Sequence, residues 1–441
     1  MSDEKRARLR ERLKSGKTRL HPLSLTQREL WESAPFAAED VSNNIGTLIF
    51  AKGPVRPDLM QKAFQQVIDR HEVLRLAIMQ GKTQPVQVIN DTAVPALVFR
   101  DAALPDDAAI GEAAEAIFRE PIDLARGPLY QMVALRRGVD DHVFVLSIHH
   151  AISDGWSLGV LVEDLLMAYI NALLGQGTSL PPVDLSFSDW AAQERALWTP
   201  AELEPRAAFW RSHMAGAGRV LSSAPAVSSQ IGRHVSRIDG ESAGLANEVA
   251  RQTGATLFGT LLAAFQLTLS EWTGADDIVV GTPVANRSRR AVRKTIGSFA
   301  GVVPLRGRVA KDRGFRDHVT SVHQDTVESF AHAMPFTELA AALGEAVVPG
   351  QNPIFDVRFA LQNHPMPDVS YPGLSVGFKI HSSGTERFDL ACEITEEGDE
   401  MEVVWLYRQD LFKPTDIAEL ARLWDATLAR NCREALNGGE S

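Results

Sequence analysis

The chain has 441 residues, 45% of them hydrophobic and 23% charged, with 32 Gly and 23 Pro; at about 150 residues per domain this suits two lobes or one large α/β unit and excludes a disordered, collagen-like or coiled-coil protein. The 45 Lys and Arg against 56 Asp and Glu leave a formal charge of -11, which argues against a nucleic acid held on a generally basic surface. Two cysteines, Cys392 and Cys432, can build neither a disulfide scaffold nor a four-thiolate zinc site, and they fit a reducing compartment.

Residues Ser2 to Arg19 are strongly basic, and Leu9, Leu13 and Leu20 give only a thin apolar stripe, so 1–20 reads as a surface helix or linker. A helix is predicted from Pro57 to about His71, where Leu59, Met60, Ala63, Phe64, Val67 and Ile68 recur at helical spacing behind an N-terminal proline. Alternation of Leu74, Leu76 and Ile78, then of Val86 and Val88, predicts strands. The stretch His142 to His150 (HVFVLSIHH) is apolar on both alternating faces, as an interior strand should be. A long apolar helix follows from Trp156 to Leu174, stopped by Gly175, Gln176 and Gly177, and Ser179 to Val183 (SLPPV) reads as a linker. That places an N-terminal lobe at 21–178 and a C-terminal lobe at 179–441. The second half repeats the style, with helices from Thr256 to Trp272 and from Gly314 to Phe330, strands at 277–281, 355–361 and 402–407, and a last helix from Thr415. The fold class is α+β in two halves of similar build. No apolar run approaches the ~20 residues of a membrane span, and the charged N-terminus has no apolar segment behind it, so a cytoplasmic protein without membrane insertion is expected.

His149 to Trp156 (HHAISDGW) sits where the interior strand ends and the long helix begins, a place where backbone N–H groups and the positive helix end face outward. Neighbouring strand residues point to opposite faces, so His149 and His150 cannot share one ligand, and a metal site is disfavoured. One histidine can face a cleft as a base while the other packs and supports the backbone. Taken alone, such a pair is more often a satisfied core pair. Asp154, just before a glycine at a tight turn, reads as structural, bonded to an arginine or to local backbone.

His-His-x-x-x-Asp-Gly at a strand-to-helix junction resembles the third motif of the condensation domains of nonribosomal peptide synthetases, relatives of the chloramphenicol acetyltransferase-like acyltransferases. Other stretches resemble that family's motifs in order: Ser24 to Trp31 (SLTQRELW), Arg70 to Arg75 (RHEVLR), Ser188-Asp189-Trp190, Gly281 to Arg287 (GTPVANR) with Ile296 to Phe299, Met334-Pro335-Phe336, and Asn352 to Phe355 followed by Leu361-Gln362-Asn363. The resemblance spans nearly the whole chain.

It implies two chloramphenicol acetyltransferase-like lobes forming a V, with a tunnel between them and His150 at its middle. It further implies amide formation between a donor thioester, peptidyl or fatty acyl, and the amine of an aminoacyl acceptor. Both substrates arrive on the phosphopantetheine arms of carrier proteins, or the donor arrives as acyl-CoA, so the chain itself binds no cofactor. His150 accepts a proton from the amine or orients it, and the Gly155 N–H is the candidate oxyanion donor. His149 supports the backbone, and Asp154 is bridged to an arginine, with Arg287 and Arg70 both open as partners. Trp156, Ser298, Gly301 and Asn363 are assigned to the substrate tunnel, Asn363 equally readable as a turn residue before His364-Pro365. Arg289, Arg290 and Arg293, with Lys294, form a basic run that reads as a solvated face or as a docking surface for acidic carriers. Donor and acceptor carriers and neighbouring synthetase domains are the expected partners of a monomer.

Two departures from the family pattern stand out. Phe299-Ala300-Gly301-Val302 replaces the usual Phe-Val-Asn-Thr, which is expected to open space near the tunnel, and Glu32-Ser33 follow Trp31 where apolar residues are usual. Two histidines argue against the heterocyclising subfamily, and the 281–287 stretch argues against epimerisation. Several settings remain: an excised domain, among them a starter that N-acylates the first residue with a fatty acyl group; a free-standing enzyme that releases chains as amide or ester; or, in another class, a non-catalytic recruiting module. No Gly-x-Ser-x-Gly elbow or Walker motif offers a rival chemistry.

Overall fold

The computed structural model describes residues 11–33, 41, 43–176, 180–221, 231–310, 312–346, 351–362, 371–381 and 388–437. The chain runs β1 (Thr18–Pro22), α1 (Leu25–Ser33), β2 (Asn44–Lys52), α2 (Pro57–Arg70), β3 (Leu76–Gln80), β4 (Pro85–Asn90), β5 (Leu97–Asp101), α3 (Asp107–Phe118), β6 (Tyr130–Gly138), β7 (Asp141–His149) and α4 (Gly155–Leu173). There follow α5 (Phe187–Leu197), α6 (Pro200–His213), β8 (Ile231–Ile238), α7 (Gly240–Thr253), α8 (Leu257–Thr273), β9 (Asp277–Val284), β10 (Gly301–Arg308), α9 (Phe315–Ala331) and α10 (Phe336–Leu343). The last elements are β11 (Val357–Gln362), β12 (Ser375–His381), β13 (Leu390–Glu397), β14 (Glu400–Arg408) and α11 (Pro414–Asn437).

β7 lies inside a five-stranded sheet of order β12-β2-β7-β6-β5, which explains its two apolar faces. Val143 and Val145 pack with Ile110, Ile117 and Phe118 beneath α3, while Phe144, Leu146 and Ile148 face the core shared with α2 and α4. A one-residue slip would exchange the two sets, so the register that ends the strand at His149 is strongly specified. α4 is long and apolar enough to cross a membrane, but 61% of that stretch is buried, and its composition is that of a helix inside a core. Its N-cap is Asp154, whose carboxylate accepts the Ser157 N–H.

A six-stranded sheet, β10-β9-β11-β13-β14-β8, carries the second core, where Phe265, Phe359, Trp405 and Trp424 pack against one another. A third, three-stranded sheet has the order β1-β4-β3. Residues 18–20, expected in the N-terminal helix or linker, instead begin β1 and pair with β4.

The second half lends segments to the first. β12 leaves the second half and extends the first sheet antiparallel to β2, from Ser375 opposite Lys52 to His381 opposite Gly46. From there the Lys379 ammonium reaches the Glu402 carboxylate of β14 at 2.9 Å, tying one sheet to the other. α5 and the segment before β10 also belong to the first core: the Trp190 and Phe299 rings lie 4.3 Å apart, with Phe187 against both. Residues 179–441, expected as one lobe, are thus divided between the two cores. The cause is long-range aromatic packing that the local pattern around the Pro-Pro linker does not announce.

Glu194 of α5 sits near the Leu25 N–H at the start of α1; burial pushes its carboxyl up to about 7, against the pull of that N–H and of the nearby Arg195 and Arg28. A folded-state value above the ordinary 4.5 means that the folded chain holds a proton the unfolded chain has released. Stability from this group therefore falls as pH rises between those values and levels off above them. Glu194→Gln, neutral throughout, is expected to raise Tm relative to the parent at pH 8 with the gap closing toward pH 4.5. Calorimetry across that range checks it, and an equal gap at both ends would refute it.

Candidate active site

β7 ends in a buried His149 side chain whose Nδ1 accepts the Ala151 N–H at 3.1 Å and whose carbonyl accepts the Ile152 N–H at 3.0 Å. An accepting Nδ1 leaves the ring proton of a neutral His149 on Nε2. His149 is thus occupied in closing the turn, the supporting role expected of it. His150 falls just beyond the strand, is partly exposed, and is anchored by its backbone N–H to the Asn43 carbonyl at 2.6 Å. The turn therefore holds His150 through its backbone and His149 through its ring.

Asp154 is 2% exposed, and its carboxylate gathers donors from three segments. Ser157 N–H lies at 2.8 Å, Arg287 at 3.1 Å, and the Phe299 and Ala300 N–H groups at 3.0 and 3.2 Å. Burial alone would push this carboxyl up; the Arg287 guanidinium and these hydrogen bonds hold it below the usual carboxylate range. Arg287, 4% exposed, also donates to the Val292 and Thr295 carbonyls at 2.8 and 2.7 Å, and stacks 3.9 Å from the Phe299 ring. The ion pair therefore joins the N-terminus of α4 to the segment leading into β10.

Of the two arginines left open, Arg287 is the partner of Asp154. Arg70 pairs instead with Asp164, one of the buried residues of α4, at 2.6 Å. His71 binds the other oxygen of Asp164 through Nε2 at 2.7 Å and accepts the Ile296 N–H at Nδ1 at 3.3 Å. Burial pushes His71 down despite Asp164, so it is a neutral donor to the carboxylate. Arg70 thus supports the same helix nearly three turns further on.

Gly155 opens α4, in the first turn whose N–H groups lack intrahelical partners. Trp156 turns toward the 287–300 segment: its indole N–H donates to the Arg293 carbonyl at 2.9 Å and its ring lies 5.9 Å from the Arg287 guanidinium. Ser298 is wholly buried beside the Asp154 contacts. Gly301, expected to open space near the tunnel, is partly exposed and closely approached on its Cβ side. A Cβ there would stand 3.0 Å from Asn286 Nδ2, because Asn286 adopts φ 52° and donates to the Phe299 carbonyl at 2.9 Å. Asn363 lies outside the described residues. In the basic run, Arg289 donates to Gln193 at 2.9 Å and Lys294 pairs with Glu163 at 2.6 Å. Among the described residues, the exposed Arg290 and Arg293 side chains have no acidic partner.

Sequence reasoning missed Ser157, whose hydroxyl donates to the Gly297 carbonyl at 2.8 Å and accepts from Arg287 and from the Gly297 N–H. Its signal was available: a polar residue three positions after an Asp N-cap. Gln27, within the Ser24 to Trp31 motif stretch, was given no role of its own there, yet its amide meets the Ala151 carbonyl at 2.7 Å.

The family profile described as condensation domain matches residues 17–436. The chain is similar to tyrocidine synthase 3 of Brevibacillus parabrevis, 30% identical over 412 residues, covering 91% of this chain and 6% of that protein. Among solved structures it is similar to the condensation domain of the monacolin K polyketide synthase MokA, with TM-score 0.83, 20% identity, and 95% and 98% of the two chains covered. It is likewise similar to the X-domain from teicoplanin biosynthesis, with TM-score 0.82, 23% identity, and 94% and 95% covered.

Proposed function

The chain belongs to the condensation-domain family, the amide-forming acyltransferases of nonribosomal peptide assembly, and from that membership we propose that it joins a donor acyl thioester to the amine of an aminoacyl thioester, both held on carrier proteins. The observation that carries the reading is the histidine turn: one buried histidine closes the turn, its partly exposed neighbour stands just past the strand end, and a buried ion pair holds the helix start beside them. The amine nitrogen attacks the thioester carbon while His150 takes or orients the departing amine proton. The C–N bond forms, the Gly155 N–H faces the tetrahedral oxyanion, and collapse breaks the C–S bond, the amine proton passing to the leaving sulfur to give a thiol on the donor arm. Tethering both reactants supplies much of the remaining acceleration.

The tunnel between the lobes belongs to this proposal, with Trp156, Ser298 and Gly301 at or behind its wall; the substrate-contact role of Asn363 rests on the family resemblance alone. So do the donor and acceptor carriers, neighbouring synthetase domains, a monomeric state and a cytoplasmic location. The exposed Arg290 and Arg293, with Arg289, suit an acidic carrier helix. The chain spans only 6% of the length of tyrocidine synthase 3, so the substrates themselves are read from chemistry alone.

The test mixes the chain with one carrier bearing an acyl thioester and another bearing an aminoacyl thioester, and weighs the acceptor by intact-protein mass spectrometry. Acceptor mass should rise by the acyl group only when both loaded carriers are present. Binding of both carriers without product, across peptidyl and fatty acyl donors, would replace this reading with a recruiting module; transfer only to an alcohol would make it an ester-forming enzyme.

A further inference from the structure

Gln27, in α1, is wholly buried, and each of its side-chain polar atoms is committed. Its Oε1 accepts the Ser24 N–H at 2.8 Å, while Nε2 donates to the Ala151 carbonyl at 2.7 Å and to Gln87 Oε1 at 3.1 Å. Gln87, equally buried in β4, donates from its own Nε2 to the Pro22 carbonyl at 2.8 Å. Two glutamines thus form a closed relay from the three-stranded sheet to the residue that follows His150. A glutamine amide placed this way has one rotamer only, since flipping Gln27 would set its oxygen against two other oxygens.

The turn itself shows what the relay does. His149 N–H is held by the Leu129 carbonyl, His150 N–H by the Asn43 carbonyl, and the Ala151 N–H by the His149 ring. The Ala151 carbonyl is the turn's grip on α1, at a sequence separation of 124 residues. We infer that Gln27, oriented by Gln87, is a positioning residue that sets the direction of the His150 side chain through the Ala151 carbonyl. This rests on His150 serving the reaction proposed above, and it adds residues outside the histidine motif to the machinery. Misplacing a reacting group by about an ångström can lower the rate about 100-fold, so the relay has a measurable consequence.

Four proteins are compared: the parent chain, Gln27→Leu, Gln27→Glu and Gln87→Leu. Gln27→Leu should lower kcat about 10- to 100-fold with KM for both carriers unchanged, and Gln87→Leu should give a smaller loss in the same direction. In Gln27→Glu the carboxylate repels the Ala151 carbonyl, but the protonated acid donates to it. The ratio of its kcat per folded molecule to the parent's should therefore rise as pH falls, whereas a role in folding alone changes the folded fraction and leaves that ratio flat. The His150 imidazole signal in labelled protein, assigned by its loss in His150→Ala, should move in Gln27→Leu while the other histidines hold theirs. Should Gln27→Leu not fold, Gln27→Glu and Gln87→Leu carry the same readouts. Parent kcat and an unmoved His150 signal in the Gln27 variants would overturn the inference. A His150 signal moved in Gln27→Leu, together with a parent chain that makes no amide, would retain it and discard the acyl-transfer reading instead.

Discussion

Arg287→Ala is expected to lower the free energy of unfolding by about 3–5 kcal/mol, the cost of stranding a buried charge by removing its partner. Asp154 stays ionised because Arg287 and the surrounding amides outweigh its burial, and both side chains are all but sealed from water. Without the guanidinium, the carboxylate keeps its amide donors but loses its countercharge, and the Val292 and Thr295 carbonyls lose their donor as well. Arg287→Lys should recover only part of the loss, because one ammonium cannot reproduce a fork that reaches Asp154, Ser157 and two carbonyls. The double variant Asp154→Ala with Arg287→Ala should lose less than the sum of the single losses, since neither charge is then stranded. Urea unfolding of the parent, the single variants and the double variant measures this. An Arg287→Ala protein within about 1 kcal/mol of the parent would show the pair to act like an exposed one.

The same pair marks the limit of what the residues alone reveal. The interior strand and the helix after it were legible to within a residue, because HVFVLSIHH is apolar on both faces and a glycine cluster stops the helix. Strand alternation set the two histidines apart, and the resemblance to condensation domains assigned a role to each. What was not legible depends on contacts between distant segments. Arg70 and Arg287 are equally plausible partners for Asp154 on paper; only packing α2 against α4 assigns Arg70 to Asp164. β12 was not among the expected strands although Val376, Phe378 and Ile380 alternate, and nothing local sends it to β2 in the other half. Gly301 reads as vacated space, yet the amide of Asn286, on a left-handed backbone between β9 and β10, stands 3.0 Å from where its Cβ would be. Gln27 is polar in a helix that looks half-exposed, and its burial follows from β4 and the histidine turn closing over it.

His150→Ala should lower kcat about 100- to 10,000-fold, the usual range for removing a general base, with Tm close to the parent's. The contrast with His149→Ala is the sharper part of this expectation. His149 is buried and its ring accepts the Ala151 N–H, so truncation orphans that amide and leaves a cavity; the loss should appear first as about 1–3 kcal/mol of stability. His150 is partly exposed and its anchoring bond runs from the backbone to Asn43, so truncation leaves the turn's backbone hydrogen bonds intact. Two adjacent histidines should therefore separate cleanly, one in rate and the other in melting temperature. If His150 removes the proton, the parent's kcat/KM should fall on the acid side, and His150→Ala should lose that limb. If His150 only orients the amine, the limb persists in the variant and follows the amine's own protonation. Activity in His150→Ala equal to the parent's would place the chemistry wholly in the tethering of the two reactants. The ion pair and the glutamine relay would then matter for keeping α1, α4 and the segment before β10 in register, and not for aiming a base.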